Sequence, residues 1–187
     1  SIDVDSTDLW LFKSVIRKYR PMVFSVEYNC HFPHDKAITY PNDTNFPKEH
    51  DRAYGASLKA LKLVAEANGY SLIWVVKYLD AFFIRNDLID DGSDNICFPY
   101  EKWINHCKLM IHKPAKNIKL INAFLDYEVY IKTNFDIQES QNAAKDICKN
   151  YLLGNTLSFL ETKYKLNKLF KRIKWHFKNI YSKLLGI

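Results

Sequence analysis

Three carboxylates stand within the first eight residues, "SIDVDSTD": Asp3, Asp5 and Asp8. A carboxylate beside an acceptor hydroxyl can take its proton as a general base, or can hold a divalent cation that lowers the hydroxyl pKa. Asp5 is the first candidate for that role, with Asp3 and Asp8 in support, and Asp5 and Asp3 are also the candidate metal ligands. Like charges this close push at least one carboxylate pKa upward unless a cation sits between them. The structural alternative is that Asp8 serves the start of a helix and Asp3 binds backbone N–H groups. A second polar set ends the apolar run "MVFSVEYN". Glu27 and Asn29 lie two residues apart, hence on one side of a strand. Together they offer a carboxylate acceptor and an amide that both accepts and donates, which suits a hydroxylated acceptor; loop anchoring is the alternative. Cys30, His31, His34 and Asp35 are the types that ligate zinc, but His50, Cys97, His106, Cys107 and His112 make no second short-spaced pair. Ordinary loop histidines are the simpler reading. Tyr40, His50, Arg52 and Tyr54 could shape a substrate lid, though the sequence alone gives them no role.

The elements that must position these groups follow from local pattern. Residues 1–5 read as a strand. In "STDLWLFKSVIRKYRP", Ser6 or Thr7 can cap a helix and Asp8 favours its positive end, while Arg17, Lys18 and Arg20 gather before Pro21. Leu9, Phe12, Val15, Ile16 and Tyr19 recur at helical spacing. The run 22–29 reads as a parallel strand covered on both faces. From Cys30 to Arg52, with Pro33, Pro41 and Pro47, the chain reads as a long ordered loop. "AYGASLKALKLVAEANGY" is a helix with Leu58, Leu61, Val64 and Ala65 inside and Gly69 as its stop. "SLIWVVK" and "AFFIRND", joined by "YLD", form an antiparallel hairpin. Strand, helix, strand, loop, helix, strand, strand is half of an open α/β sheet, whose ligands sit beyond the carboxyl ends of the parallel strands. The acids stand at those ends.

These stretches resemble one family. "SIDVDSTDLWLFKSVIRKYRPMVFSVEYN", "FPHDKAITYPND", "YGASLKALKLVAEANGYSLIW" and "DAFFIRNDL", in this order, are similar to the carboxyl half of FkbM-type, S-adenosylmethionine-dependent methyltransferases, over roughly residues 1–90. The resemblance implies a doubly wound, Rossmann-like methyltransferase sheet, with parallel strands plus a terminal antiparallel hairpin, of which this chain is the C-terminal half. It implies O-methyl transfer to a sugar or other hydroxylated small-molecule or glycan acceptor. It also puts Asp5, Asp3 and Asp8 at the catalytic position and Glu27, Asn29 and Asp35 at the acceptor. In that family the glycine-rich cofactor turn and the ribose-binding acid precede the strand seen here at residues 1–5. The five glycines of this chain are isolated. The main elements for S-adenosylmethionine are therefore expected outside it, and the start without methionine suggests a fragment. Ser6 stands where the family commonly has glycine, and Asp80 where it commonly has asparagine.

Composition bounds the rest. With 187 residues, 48% hydrophobic, the chain can bury one sizeable core and no second full domain. No basic, apolar leader and no membrane-length apolar run is present. Four cysteines without CxxC spacing suggest a reducing cytosol, hence a cytoplasmic protein. Of the net +6, residues 155–187 carry +7, with eight bases against one acid, leaving the remainder at −1. Residues 1–95 read as the methyltransferase-like unit and 96–154 as a helical extension. Residues 155–187 read as a basic amphipathic helix, with Leu166, Leu169, Phe170, Ile173, Phe177, Ile180 and Leu184 on one face. That helix suits peripheral contact with an anionic membrane or packing on a partner. Nucleic acid is a poor fit, because no recognised module accompanies the charge. The competing function is a non-catalytic module that binds membrane or a protein partner through this helix.

Overall fold

The computed structural model describes residues 1–43, 54–89, 98–101 and 122–152. They form a mixed α/β fold with two small antiparallel sheets. Helix α1 (Asp8–Tyr19) leads into β1 (Val23–Glu27), then β2 (Ile38–Thr39), α2 (Leu58–Glu66), β3 (Tyr70–Val75) and β4 (Asp80–Arg85). A single 3₁₀ turn, Asn86–Leu88, follows; β5 (Leu125–Asp126), α3 (Tyr127–Lys132) and α4 (Ile137–Leu152) complete the described part.

The larger sheet has the order β1-β4-β3. β4 lies antiparallel to both neighbours, so β1 and β3 run the same way. The expected hairpin is present as β3 and β4. Val76 N–H donates to the Asp80 carbonyl at 2.8 Å, and Tyr78 adopts φ +70° in the turn. The expected strand at residues 1–5 contracts to one bridge: Ile2 pairs in parallel with Val26. Ile2 N–H donates to the Ser25 carbonyl (2.8 Å) and Glu27 N–H to the Ile2 carbonyl (2.9 Å).

β1 is not covered on both faces by the described residues. Its burial alternates, with Phe24 and Val26 buried and Ser25 and Glu27 half-buried. The expectation of two covered faces rested on an apolar run, yet Met22 and Val23 in that run are exposed. The inward face packs under the helices. Phe12 of α1 meets Phe24 edge-on at 5.0 Å and lies 5.3 Å from Phe83. From α2, Leu58, Leu61, Val64 and Ala65 are buried in the same core as Tyr70 and Leu72. Each fully buried side chain of this size contributes about 1.5–3 kcal/mol. A bulge between Leu72 and Trp74 lets Leu72 and Val75 both face inward, opposite Phe83 and Ala81.

Sequence-visible caps were partly redirected. Thr7 is the α1 N-cap but makes no side-chain capping bond. Ser57 does cap α2, accepting from Ala60 N–H at 3.2 Å, and also accepts from Ile38 N–H at 3.0 Å. Gly69, at φ +78°, follows α2 in the left-handed conformation that a helix stop uses. Two other expectations change. The 30–52 loop contains β2, and the helical extension contains β5; these two strands pair antiparallel, Ile38 with Asp126 and Thr39 with Leu125. A second core of Phe32, Ile38, Tyr40, Phe124, Ala144 and Cys148 forms beneath α4. Two-residue strands carry too little alternation to be read from sequence. The basic stretch 155–187 lies outside the described residues. Among the described residues no helix is long and apolar enough to cross a membrane.

Candidate functional site

The Ile2–Val26 bridge is what brings the acids together. Ile2 points into the core, so its neighbour Asp3 faces the other side of the sheet. Glu27, one residue beyond Val26, faces that side too. Carboxylate oxygens of Asp3, Asp5 and Glu27 lie within 4.8 Å of one another. Asp3 and Asp5 are exposed and Glu27 is half-buried. Asp5 sits at φ +55°, a left-handed conformation that costs a non-glycine residue about 1 kcal/mol or more and is least unfavourable for Asn and Asp. Asp5 stands between the bridge at Ile2 and the start of α1 at Asp8, where the chain turns from the sheet towards the helix.

Asp8 plays a different part from its neighbours. It is buried, and its carboxylate accepts from Val4 N–H at 2.8 Å and Ser6 N–H at 3.0 Å. These bonds hold the 4–6 turn that presents Asp5. Burial raises the Asp8 pKa, and the backbone bonds oppose the rise. Gly55 passes close by: a Cβ there would stand 3.4 Å from Asp8 Oδ2, and its φ is +56°.

Glu27 is the most perturbed acid. Burial first, then the negative charges of Asp3, Asp5 and Asp8, push its pKa up to about 8. Its Oε2 is shielded from solvent with no hydrogen-bond donor. Asp3 lies within hydrogen-bonding reach of the Glu27 carboxyl, a contact two carboxyl groups can make only while one is protonated. At neutral pH the cluster therefore holds a proton on Glu27 or a cation in its place. Three carboxylates and no nitrogen or sulfur donor suit a hard, oxygen-seeking ion of the Mg²⁺ or Mn²⁺ type.

The remaining sequence candidates are placed as follows. Asn29 is buried and tied to the backbone: Nδ2 donates to the Tyr54 carbonyl (2.8 Å) and Oδ1 accepts from His31 N–H (2.9 Å). With Asn29 N–H on the Ala56 carbonyl at 2.7 Å, it anchors the 54–56 segment at the end of β1. That anchor sets Tyr54 among the acids, where burial and the charges of Glu27, Cys30, Asp5 and Asp8 raise its pKa, keeping the phenol protonated. Asp35 is not part of the acid cluster; it is exposed and pairs with Lys36 at 3.1 Å. His34 is buried and its pKa falls to about 4, chiefly from desolvation. Asp80 accepts from Ser25 Oγ at 2.7 Å across the β1–β4 pair. His50, Arg52, Cys97, His106, Cys107 and His112 lie outside the described residues. Sequence reading grouped Asp8 with Asp3 and Asp5 and set Glu27 apart; the bridge exchanges the two. The β1 alternation puts Glu27 on the face opposite buried Val26, but which residues of the first segment meet it there is set by the Ile2–Val26 bridge.

S-adenosylmethionine finds no cradle among the described residues. Gly55 and Gly69 stand singly on either side of α2, neither in a glycine-rich turn after a strand. Comparison with protein-family models, with curated proteins and with solved structures gives no match for this chain.

Proposed function

We propose that this chain forms the acceptor side of an O-methyltransferase of the FkbM type, acting on a sugar or other hydroxylated acceptor, with Asp3, Asp5 and Glu27 handling the acceptor proton. The observation that carries the reading is the meeting of three carboxylates at the ends of two chain segments bridged in parallel, with Glu27 raised to about 8. The terminal antiparallel hairpin and the four sequence motifs support the same family.

A base whose pKa lies near the working pH combines a useful deprotonated fraction with real proton affinity. Glu27 has that property, and Asp5 is held by its strained turn where its carboxylate faces outward. Asp3 lies within hydrogen-bonding reach of the Glu27 carboxyl. Tyr54, protonated throughout, can donate to an acceptor oxygen. A divalent cation held by Asp3, Asp5 and Glu27 would lower the acceptor hydroxyl pKa instead. The described residues form no cofactor cradle, so the contribution assigned to them stops at proton handling and acceptor orientation.

The test uses the gene product that carries this chain, with methyl-labelled S-adenosylmethionine and a panel of simple sugars and polyols. Asp5→Asn and Glu27→Gln should each cut transfer by about 100-fold or more while leaving cofactor binding nearly intact. Wild-type turnover in both variants would return the cluster to a structural role. Absence of any transfer by the wild type would favour the non-catalytic alternative.

A further inference from the structure

The two ends of β1 differ in charge. Its last residue, Glu27, stands in the acid cluster, and its first, Val23, follows the corner where α1 ends. That corner carries Arg17, Lys18 and Arg20, all exposed, and among the described residues none of the three is paired with an acid. The neighbouring acid, Asp87, is taken up by Arg85, with Nε on Oδ1 at 2.5 Å. Apolar side chains stand among these bases. Tyr19 is 66% exposed, Met22 64% and Val23 51%. Lys18 Nζ lies 5.1 Å from the Tyr19 ring centroid.

The backbone of this corner is tied down. Arg20, at φ +45°, turns the chain out of α1. Three successive carbonyls then accept: Arg20 from Arg85 Nη1 at 2.8 Å, Pro21 from the Tyr70 hydroxyl at 2.6 Å and Met22 from Arg85 N–H at 3.0 Å. Pro21 has no N–H to satisfy. Unmet backbone groups are what keeps most loops out of lipid, and here these carbonyls are already met. The side chains are those a bilayer surface accommodates: a ring with a polar tip, two apolar chains, and long bases whose stems lie along apolar surface while their charges stay in water. A nucleic-acid backbone would use the bases and leave Met22 and Val23 without partners.

We propose that the α1–β1 corner, residues 17–23, is a peripheral membrane contact that seats Tyr19, Met22 and Val23 at the headgroup level of an anionic bilayer, with Arg17, Lys18 and Arg20 on the lipid phosphates. Along β1 the acid Glu27 stands about 13 Å from Val23. That exceeds the Debye length of about 8 Å at physiological salt, so the surface attracts the bases at close range and barely feels the acids. The β3–β4 turn also exposes an apolar residue, Leu79, but at the acid end, where Glu27 is registered against Asp80. Charge selects between the two ends. The inference rests neither on the methyl-transfer reading nor on the basic stretch 155–187.

An environment-sensitive dye carried on Met22→Cys or, as the control, on Leu79→Cys of the full chain reports which end meets lipid, with dye-treated wild type as the blank. On phosphatidylcholine vesicles containing phosphatidylserine, the dye at position 22 should shift to the blue and be quenched by nitroxide-labelled lipid. The dye at position 79 should do neither. In co-sedimentation, Arg17→Gln, Lys18→Gln and Arg20→Gln should each weaken binding about fivefold, and pure phosphatidylcholine should bind least. Met22→Ser combined with Val23→Ser should weaken it about tenfold. All these positions are exposed, so the substitutions leave the core untouched. Failure of the wild type to bind phosphatidylserine vesicles, binding that leaves the dye at position 22 in water, or unchanged binding by the charge variants would overturn the proposal. Single-stranded RNA binding that the charge variants lose, with no vesicle binding by the wild type, would give the corner to nucleic acid instead.

Discussion

The two faces of the β1-β4-β3 sheet come from the same strands yet do opposite things. Inward, Phe24, Val26, Tyr70, Leu72, Ala81 and Phe83 are buried beneath α1 and α2. Outward, Ser25, Glu27, Asp80, Phe82 and Ile84 are half-buried and Val23 and Trp74 are exposed. The outward face ends in the acids. The inward face gains free energy from every side chain it covers; the outward face spends some, by crowding like charges and holding Asp5 in a left-handed turn. Core packing and clustered acids thus fall on alternate faces of one strand.

The largest effect should come from neighbouring phenylalanines. Phe83→Ala removes a fully buried ring that Phe12 contacts, and should cost about 3–5 kcal/mol. Phe82→Ala, one residue earlier and half-buried, should cost well under half as much. Denaturant unfolding of the two variants compares the faces directly. Equal losses would mean that the outward face is as well packed as the inward one.

The next contrast is in pH dependence. Glu27 holds its proton to about 8 in the folded chain and to about 4.5 in the unfolded one. Its contribution to stability is therefore fully present below pH 4.5 and lost as the pH rises through 8. His34 runs the other way. Folding lowers its pKa from 6.5 to about 4, so its contribution is fully present above 6.5 and lost as the pH falls through 4. Between pH 6.5 and 8 only Glu27 of the two changes protonation. Thermal midpoints should fall across that interval in the wild type and stay level in Glu27→Gln. A wild type that is level there would remove the strained carboxyl from the outward face.

The smallest effect concerns Asp5. Glycine accepts φ +55° without steric cost, so Asp5→Gly should raise stability by about 0.5–1 kcal/mol while removing a cluster carboxylate. Loss of stability in that variant would show that Asp5 holds the turn rather than being held by it.

These contrasts also explain what the sequence disclosed. The helical spacing of Leu58, Leu61, Val64 and Ala65 and the hairpin of β3 and β4 were legible because each follows from local periodicity. The acids at 3 and 5 were legible as a candidate pair, and the structure does bring them together. Glu27's membership was not, because it depends on which residue of the first segment pairs with Val26, a tertiary fact. The bonds that Asp8 accepts from Val4 and Ser6 N–H were not legible for the related reason that they exist only once the turn is formed. The β2–β5 pair joins residues 38–39 to 125–126, two short strands far apart in the chain, and left no pattern to read.

In the proposed function Asp3, Asp5 and Glu27 act as one proton- and cation-binding unit. Carboxyl ¹³C NMR of protein labelled at glutamate, with Glu27 assigned by Glu27→Gln, tests it most directly. A Glu27 titration midpoint near 8 is expected, lowered by Asp3→Asn and lowered further when Mg²⁺ takes the proton's place. A Glu27 midpoint in the ordinary glutamate range, about 4.3, unmoved by Asp3→Asn and by Mg²⁺, would contradict it.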